Sequence, residues 1–274
     1  MSKACSTSAL GIAIVLSLVG ACDAAGGADH AVTIDGRIDT APVTAGKDAS
    51  AANDAPATAD RATPANDAIL ADAQAPVVGE ITCRMAGDGK TTLVFVNGCG
   101  GTLTFAGSDI AGGTLAPGAH QCVDIGTATE ALSSKRYWGW LGADPGPEHH
   151  TLAEFTFNTS FHDFDWYDIS HVDAHNLPMQ IVPVGHPDCH TLSCPMELLS
   201  GCPTVGQYRD SSGKVVACVS PERNNPTSPV VQSFEACDDA YAWSGDDANG
   251  TDPSPMRACA GEDWDIVFCP PGGA

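Results

Sequence analysis

Positive charge is scarce in this sequence. It carries 12 Lys and Arg against 34 Asp and Glu, a formal net charge of −22. A surface of that sign repels nucleic acid and anionic membranes, so functions that rest on a basic patch are excluded. Long apolar runs are absent after the first residues, and no segment holds a long helical period, which excludes a helical bundle. None of the 12 cysteines forms a CxxC pair. Structural zinc sites usually show one, so no metal is expected at Cys189, Cys194 and Cys202 despite His186 and His190 nearby. The adjacent His149 and His150 read as a solvated loop, and no cofactor is expected.

Aromatic residues make up 6% of the chain, and none lies between positions 23 and 80. That tract is built from Ala, Asp, Thr and Pro. It cannot bury enough apolar surface to offset its ordering entropy and is expected to be a disordered linker. As a flexible coil it would span on the order of 40 Å, from about 5–6 Å times the square root of its residue number. Before it stands MSKACSTSALGIAIVLSLVGAC, with Lys3, an apolar run from Ala9 to Val19, and small residues at Gly20 and Ala21. This reads as a signal peptide over residues 1–21. Its ending VGAC resembles the lipobox of bacterial lipoproteins. That resemblance implies a lipidated Cys22 as the only membrane attachment, on an exported protein that is either a cell-envelope lipoprotein or extracellular. Ordinary secretion without lipid is the alternative.

The globular part is expected over residues 81–274, with 24 acidic and 8 basic side chains. Ten cysteines lie in it, an even number that reads as a disulfide framework in an exported chain. Short segments rich in aromatic and β-branched residues recur from Thr91 onward: TLVFVNG, TLTFAG, KRYWGWLGA, LAEFTFN, FDWYDIS, MQIVPV and WDIVFC. Turn residues punctuate them, which argues for a mainly β sandwich or barrel. TLVFVNG and TLTFAG, joined by GCGG, read as a hairpin. The stretch from Cys189 to Tyr241 reads as disulfide-stapled loops with a short helix near Val230 to Ala236.

The segment DWYDISHVDAHNLPM, from Asp165 to Met179, sets three aspartates, two aromatics and two histidines in fifteen residues. Asp168 and Asp173 are five apart, so a straight strand sends them to opposite faces. Both can meet in one cleft only if the chain bends between them.

These motifs, in the order FVNGC, LAPG, RYWGW, TLAEFTFN, DWYDISHVDAHNLPM, CHTLSCP, GCP, CDDAYAW and IVFCP, resemble the thaumatin-like proteins. The resemblance implies a flattened β-sandwich with a disulfide-rich loop region, here a reduced, ten-cysteine form in which one cleft wall is low. It implies the pairs Cys99–Cys269, Cys189–Cys259, Cys194–Cys237 and Cys202–Cys218, and leaves Cys83 to Cys122. It also implies an acidic cleft holding Arg136, Glu154, Asp168, Asp173 and Asp239. His175 stands where the family commonly has an aromatic residue, and Trp138, Trp140, Tyr241 and Trp243 could stack on sugar rings. Trp138 is expected in the core.

Paired carboxylates suit glycoside hydrolysis, with one as the acid and one as base or nucleophile. Glu154 is the expected acid and Asp168 or Asp173 its partner. The partner implied is β-1,3-glucan or another cell-wall polysaccharide, bound by a monomer and hydrolysed as an endo-glucanase would. The alternative is a non-catalytic polysaccharide-binding or antifungal interaction protein. Cys22→Ser is expected to release the chain into the soluble fraction; a membrane fraction unchanged by that substitution, with normal cleavage, would show that Cys22 is not the anchor.

Overall fold

A computed structural model describes residues 79–159, 164–247 and 254–272. The signal peptide, Cys22 and nearly all of the linker lie outside the described residues, and among those described no helix is long and apolar enough to cross a membrane. Among the described residues fifteen strands, one short α-helix and a single 3-10 turn at Thr204–Gly206 run in chain order. They are β1 (Lys90–Asn97), β2 (Leu103–Gly107), β3 (Gly113–Leu115), β4 (His120–Thr127), β5 (Leu132–Leu141), β6 (Leu152–Phe157), β7 (Asp165–Ser170) and β8 (Ala174–His175). Then follow β9 (Met179–Val184), β10 (Leu192–Cys194), β11 (Gln207–Arg209), β12 (Val215–Val219), α1 (Pro229–Phe234), β13 (Ala240–Tyr241), β14 (Arg257–Cys259) and β15 (Asp263–Phe268).

The strands form two main sheets and a small one. The first has the order β10-β9-β15-β1-β4, and the second β13-β7-β6-β5-β2-β3. The third, β11-β12-β8, ties the cysteine-rich region to the segment after β7. Alternation decides what faces inward. Along β6, Ala153, Phe155 and Phe157 are buried while Glu154 and Thr156 are half-buried. Along β7, Tyr167 and Ile169 are buried, and Trp166 and Asp168 are half-buried on the opposite face. Trp264 of β15 meets Tyr167 with ring centroids 4.5 Å apart, and Phe95 of β1 stacks on Phe105 of β2 at 4.3 Å. These contacts join the two sheets through one aromatic core, a mainly β sandwich as expected.

The expected hairpin of TLVFVNG and TLTFAG does not form. β1 pairs with β15 and β4, whereas β2 pairs with β3 and β5, so the GCGG turn carries the chain from one sheet to the other. The physical reason is local. The Asn97 side chain donates to the carbonyls of Gly101 and Leu115, both at 2.9 Å, and accepts from the Cys99 amide at 2.9 Å. Gly98 is pressed so close to the last strand that a Cβ there would lie 2.5 Å from the Cys269 carbonyl oxygen. Trp138 is likewise not core. It is half-buried on the outer face of β5, and its neighbour Tyr137 is the fully buried residue. A one-residue bulge between Leu132 and Lys135 helps to set this phase. His150, expected in a solvated loop, is buried with 4% exposure. The helix near Val230 is present as α1, its buried side held by Val230, Val231 and Phe234.

All ten cysteines of the globular part are paired: Cys83–Cys122, Cys99–Cys269, Cys189–Cys259, Cys194–Cys237 and Cys202–Cys218. Four of these are the pairs that the family resemblance implies, and the fifth, Cys83–Cys122, is the pair left by elimination. The Cys99–Cys269 link spans 170 residues of sequence and sits where the parallel pair β1 and β15 ends. In the chain-entropy model a loop above a hundred residues is worth roughly 5 kcal/mol. Cys99→Ser with Cys269→Ser is therefore expected to lower the urea midpoint sharply, and thiol titration of the unreduced domain should find none of the ten free.

Asp165 is nearly inaccessible, 2% exposed. Burial raises its carboxyl to about 6 against the pull of the Asn158 amide, which donates to it at 2.8 Å. A carboxyl raised on folding stabilises the native state below its unfolded value, near 4, and that stability is lost as pH rises through the folded value. Urea unfolding should thus show stability falling between about pH 4 and 6 from this group, and Asp165→Asn should flatten that slope.

Candidate functional site

The site grows out of register. Arg136 of β5 is the cross-strand partner of Glu154 of β6, and Glu154 is the partner of Asp168 of β7. The three side chains therefore form one row across the outer face of the second sheet. Directly opposed residues on antiparallel strands lie about 4.5–5.5 Å apart at Cβ. Arg136 Nε donates to Glu154 Oε1 at 2.8 Å. Asp168 has no such partner: its Oδ1 is buried without a hydrogen bond. Burial, and then the adjacent charge of Glu154, push its carboxyl well above the usual carboxylate range, with Arg136 pulling the other way.

The bend that the sequence demanded is there. β7 stops at Ser170, and the chain turns through His171 and Val172 before β8. That turn returns Asp173 to the same side as Asp168. Its backbone carbonyl accepts from Ser220 N at 2.8 Å, and its Oδ1 pairs with Arg223 Nη1 at 2.8 Å. Asp173 is 13% exposed at its side chain and Arg223 50%.

Together these residues line an open cavity of about 370 Å³ with Trp166, Tyr241 and Asp247 among its walls. The Tyr241 hydroxyl donates to Asp247, and burial raises the phenol above its ordinary value. Arg223, Ser244 and Asp247 also line it. The Ser244 amide donates to the Arg223 carbonyl at 3.0 Å, and its Oγ to Asn224 Oδ1 at 2.6 Å. Sequence reasoning missed Arg223 and Asp247. Neither stands in a strand pattern, and the Arg223–Asp173 ion pair and the Tyr241–Asp247 hydrogen bond hold them at the cleft.

Of the seven expected site residues, Arg136, Glu154, Asp168, Asp173 and Tyr241 line this cavity, and two do not. Asp239 lies in the turn before β13. There it accepts from Ser193 N at 3.3 Å and sits 3.3 Å from His190 Nε2 and 3.6 Å from Arg257 Nη2. Those contacts hold its carboxylate, and Asp239 is not among the residues lining the cavity. His175 is fully buried. Its strand β8 pairs with β12, its Nδ1 lies 3.2 Å from His171 Nε2, and its ring packs against Phe234. Burial holds His175 well below the ordinary imidazole value and His171 at about 3, so both are neutral packing groups. Among the described residues no group of three or more His, Cys, Asp or Glu is placed to hold a metal.

Comparison with known proteins places this geometry. The sequence profile of the thaumatin family matches residues 142–270. A glucan endo-1,3-beta-glucosidase of Prunus avium is 38% identical over 139 residues, covering 44% of this chain and 55% of that protein. The pathogenesis-related thaumatin-like protein 3.5 of Cryptomeria japonica is 31% identical over 239 residues, 69% of this chain and 92% of that protein. Against the cherry protein, and against thaumatin-like protein 1a of Malus domestica, the chain spans little more than half the length, 55% and 54%. Among solved structures, a laminaripentaose-producing beta-1,3-glucanase of Paenibacillus barengoltzii aligns at 12% identity and a TM-score of 0.42 over 66% of this chain and 75% of that one, a likeness too slight to argue from. The Cryptomeria match runs through nearly the whole of a thaumatin-like protein, and the profile covers the half that bears Glu154, Asp168 and Asp173: the chain belongs to the thaumatin family.

Proposed function

We propose that this chain is an exported, cell-envelope member of the family whose acidic cleft binds β-1,3-glucan. One observation carries the reading: both arginines of the cleft are already ion-paired, Arg136 with Glu154 and Arg223 with Asp173. With Asp247 also present, the cavity offers acceptors and, among the described residues, no free cation, so it favours neutral ligands rich in hydroxyl donors over anionic ones. Trp166 and Tyr241 add ring surface of the kind that packs against sugar faces. A volume of about 370 Å³ falls within the range of small-ligand sites. Lipidation at Cys22 and the linker would hold this cleft away from the membrane.

A second reading, hydrolysis, is favoured by the raised carboxyl of Asp168 beside Glu154. Glycoside cleavage needs a protonated acid beside an ionised carboxylate. Asp168 holds its proton above the usual range, and Glu154, its cross-strand neighbour, is ion-paired to Arg136. This reverses the roles expected from the sequence: Asp168 supplies the proton to the leaving oxygen, and Glu154 is the charged partner. The Prunus avium relative is named for hydrolysis of 1,3-beta-glucan, and that activity belongs to this reading only as a proposal.

The test pairs a pull-down on insoluble β-1,3-glucan with a reducing-sugar assay. Asp168→Asn is expected to cut hydrolysis by about 10²–10⁴-fold, the usual worth of a positioned acid, and to leave binding in place. Binding by the parent chain without release of reducing ends would replace hydrolysis by the non-catalytic reading. Absence of binding would remove both.

Stability gives an independent readout of the same proton. Because Asp168 is raised on folding, it favours the native state at pH below its unfolded value, and that advantage disappears as pH rises through the folded value. Asp168→Asn should therefore raise the melting temperature at pH 8 and change it little at pH 4.

A further inference from the structure

The outer face of β5 continues past Arg136. Alternate residues share a face, so Arg136, Trp138 and Trp140 project on the same side, each about 6.5–7 Å from the next along the strand. Both indoles are half-buried. Their neighbours on β2 are small: Ala106 lies opposite Trp138 and Thr104 opposite Trp140. On their other side stands the buried His150 ring, with its centroid 6.0 Å from Trp138 and 5.5 Å from Trp140. Asp144 fixes that imidazole through a 3.1 Å contact at Nε2. The two indoles are thus braced by a rigid ring on one flank and left low-walled on the other.

The run does not end in open solvent. Trp140 forms one wall of a second cavity of about 420 Å³, which Leu141, Leu177, Val215 and Lys214 also line. Arg136 lies on the wall of the acidic cleft. One strand therefore connects the two cavities, and the surface between them along that strand carries two aromatic rings and no charge. A domain with 24 acidic and 8 basic side chains repels an anionic chain along this path.

We propose that Trp138 and Trp140 form a saccharide platform that carries a neutral β-glucan chain from the acidic cleft to the second cavity, so that the protein selects extended polysaccharide over short oligosaccharide. The proposal rests on the glucan reading of the cleft and adds the length of ligand recognised. Each indole presents a flat apolar face to a sugar ring, and aromatic contacts of this kind add to affinity without any charge.

Titration calorimetry of the full chain with a soluble β-1,3-glucan polymer and with a β-1,3-linked trisaccharide tests it. Trp138→Ala and Trp140→Ala are each expected to weaken polymer binding about three- to tenfold and to leave trisaccharide binding unchanged. Trp138→Phe and Trp140→Phe, which keep a ring, should recover most of the polymer affinity and guard against loss of folding. Equal weakening toward both ligands, or polymer binding unaffected by all four variants, would overturn the platform and leave the cleft reading intact. Glu154→Ala separates the two ideas further. Loss of polymer binding in the tryptophan variants but not in Glu154→Ala would leave the tryptophans as a binding surface on their own and overturn both the cleft reading and the path from cleft to second cavity. No binding of polymer by the parent chain would sink both.

Discussion

The register of three antiparallel strands governs both the interior and the cleft of this protein. β5, β6 and β7 pair so that Arg136, Glu154 and Asp168 stand in one row. The same pairing sends Tyr137, Phe155 and Tyr167 into the core. A slip of one residue in any of the three would exchange a buried ring for a charged group and leave an aromatic side chain in water. Core burial therefore holds the charged row in place, and no separate device is needed to align it. The cost falls on Asp168, whose unpartnered oxygen is compatible with folding because the carboxyl can stay neutral.

Much of this was legible from local pattern. The strands were visible because their apolar residues alternate, and three of the four cleft carboxylates expected lie in or just after such strands. The bend between Asp168 and Asp173 followed from counting residues along a pleat. Local pattern missed the strand pairings and side-chain contacts made with partners distant in sequence, while the distant disulfides were legible only through the family resemblance. FVNGCGGTLTF has the look of a hairpin, and only the pairing of β1 with the last strand shows that its turn crosses between sheets. Asp239 sits in a motif that suggests the cleft, but Ser193, His190 and Arg257 capture it from other segments. Arg223 and Asp247 carry no local signal at all; they reach the site on turns tied down by Ser244 and Tyr241.

The disulfides and the sheets divide the stabilising work. Cys194–Cys237 and Cys202–Cys218 gather the region of short strands around α1, which buries only a few apolar side chains of its own. The large sheets have an aromatic core of their own, and Cys99–Cys269 ties the ends of β1 and β15 within the first of them. β7 meets two partners on its outer edge, β13 at Ile169 and Ser170 and β14 from Asp165 to Tyr167. That edge, which would otherwise offer open backbone groups to another chain, is closed by two separate pieces of the same molecule.

The side-by-side placement of β1 and β15 also has a meaning in time. β1 begins at Lys90 and its parallel neighbour β15 ends at Phe268, so the strand made first in this domain waits for the strand made last. Until β15 arrives, β1 has only β4 beside it, and its apolar residues are exposed along one edge. Pairings this remote in sequence make folding slow, because the loop must close before any contact rewards it. Such a chain remains uncommitted while it is being synthesised and takes its final form only once all of it is present in one compartment.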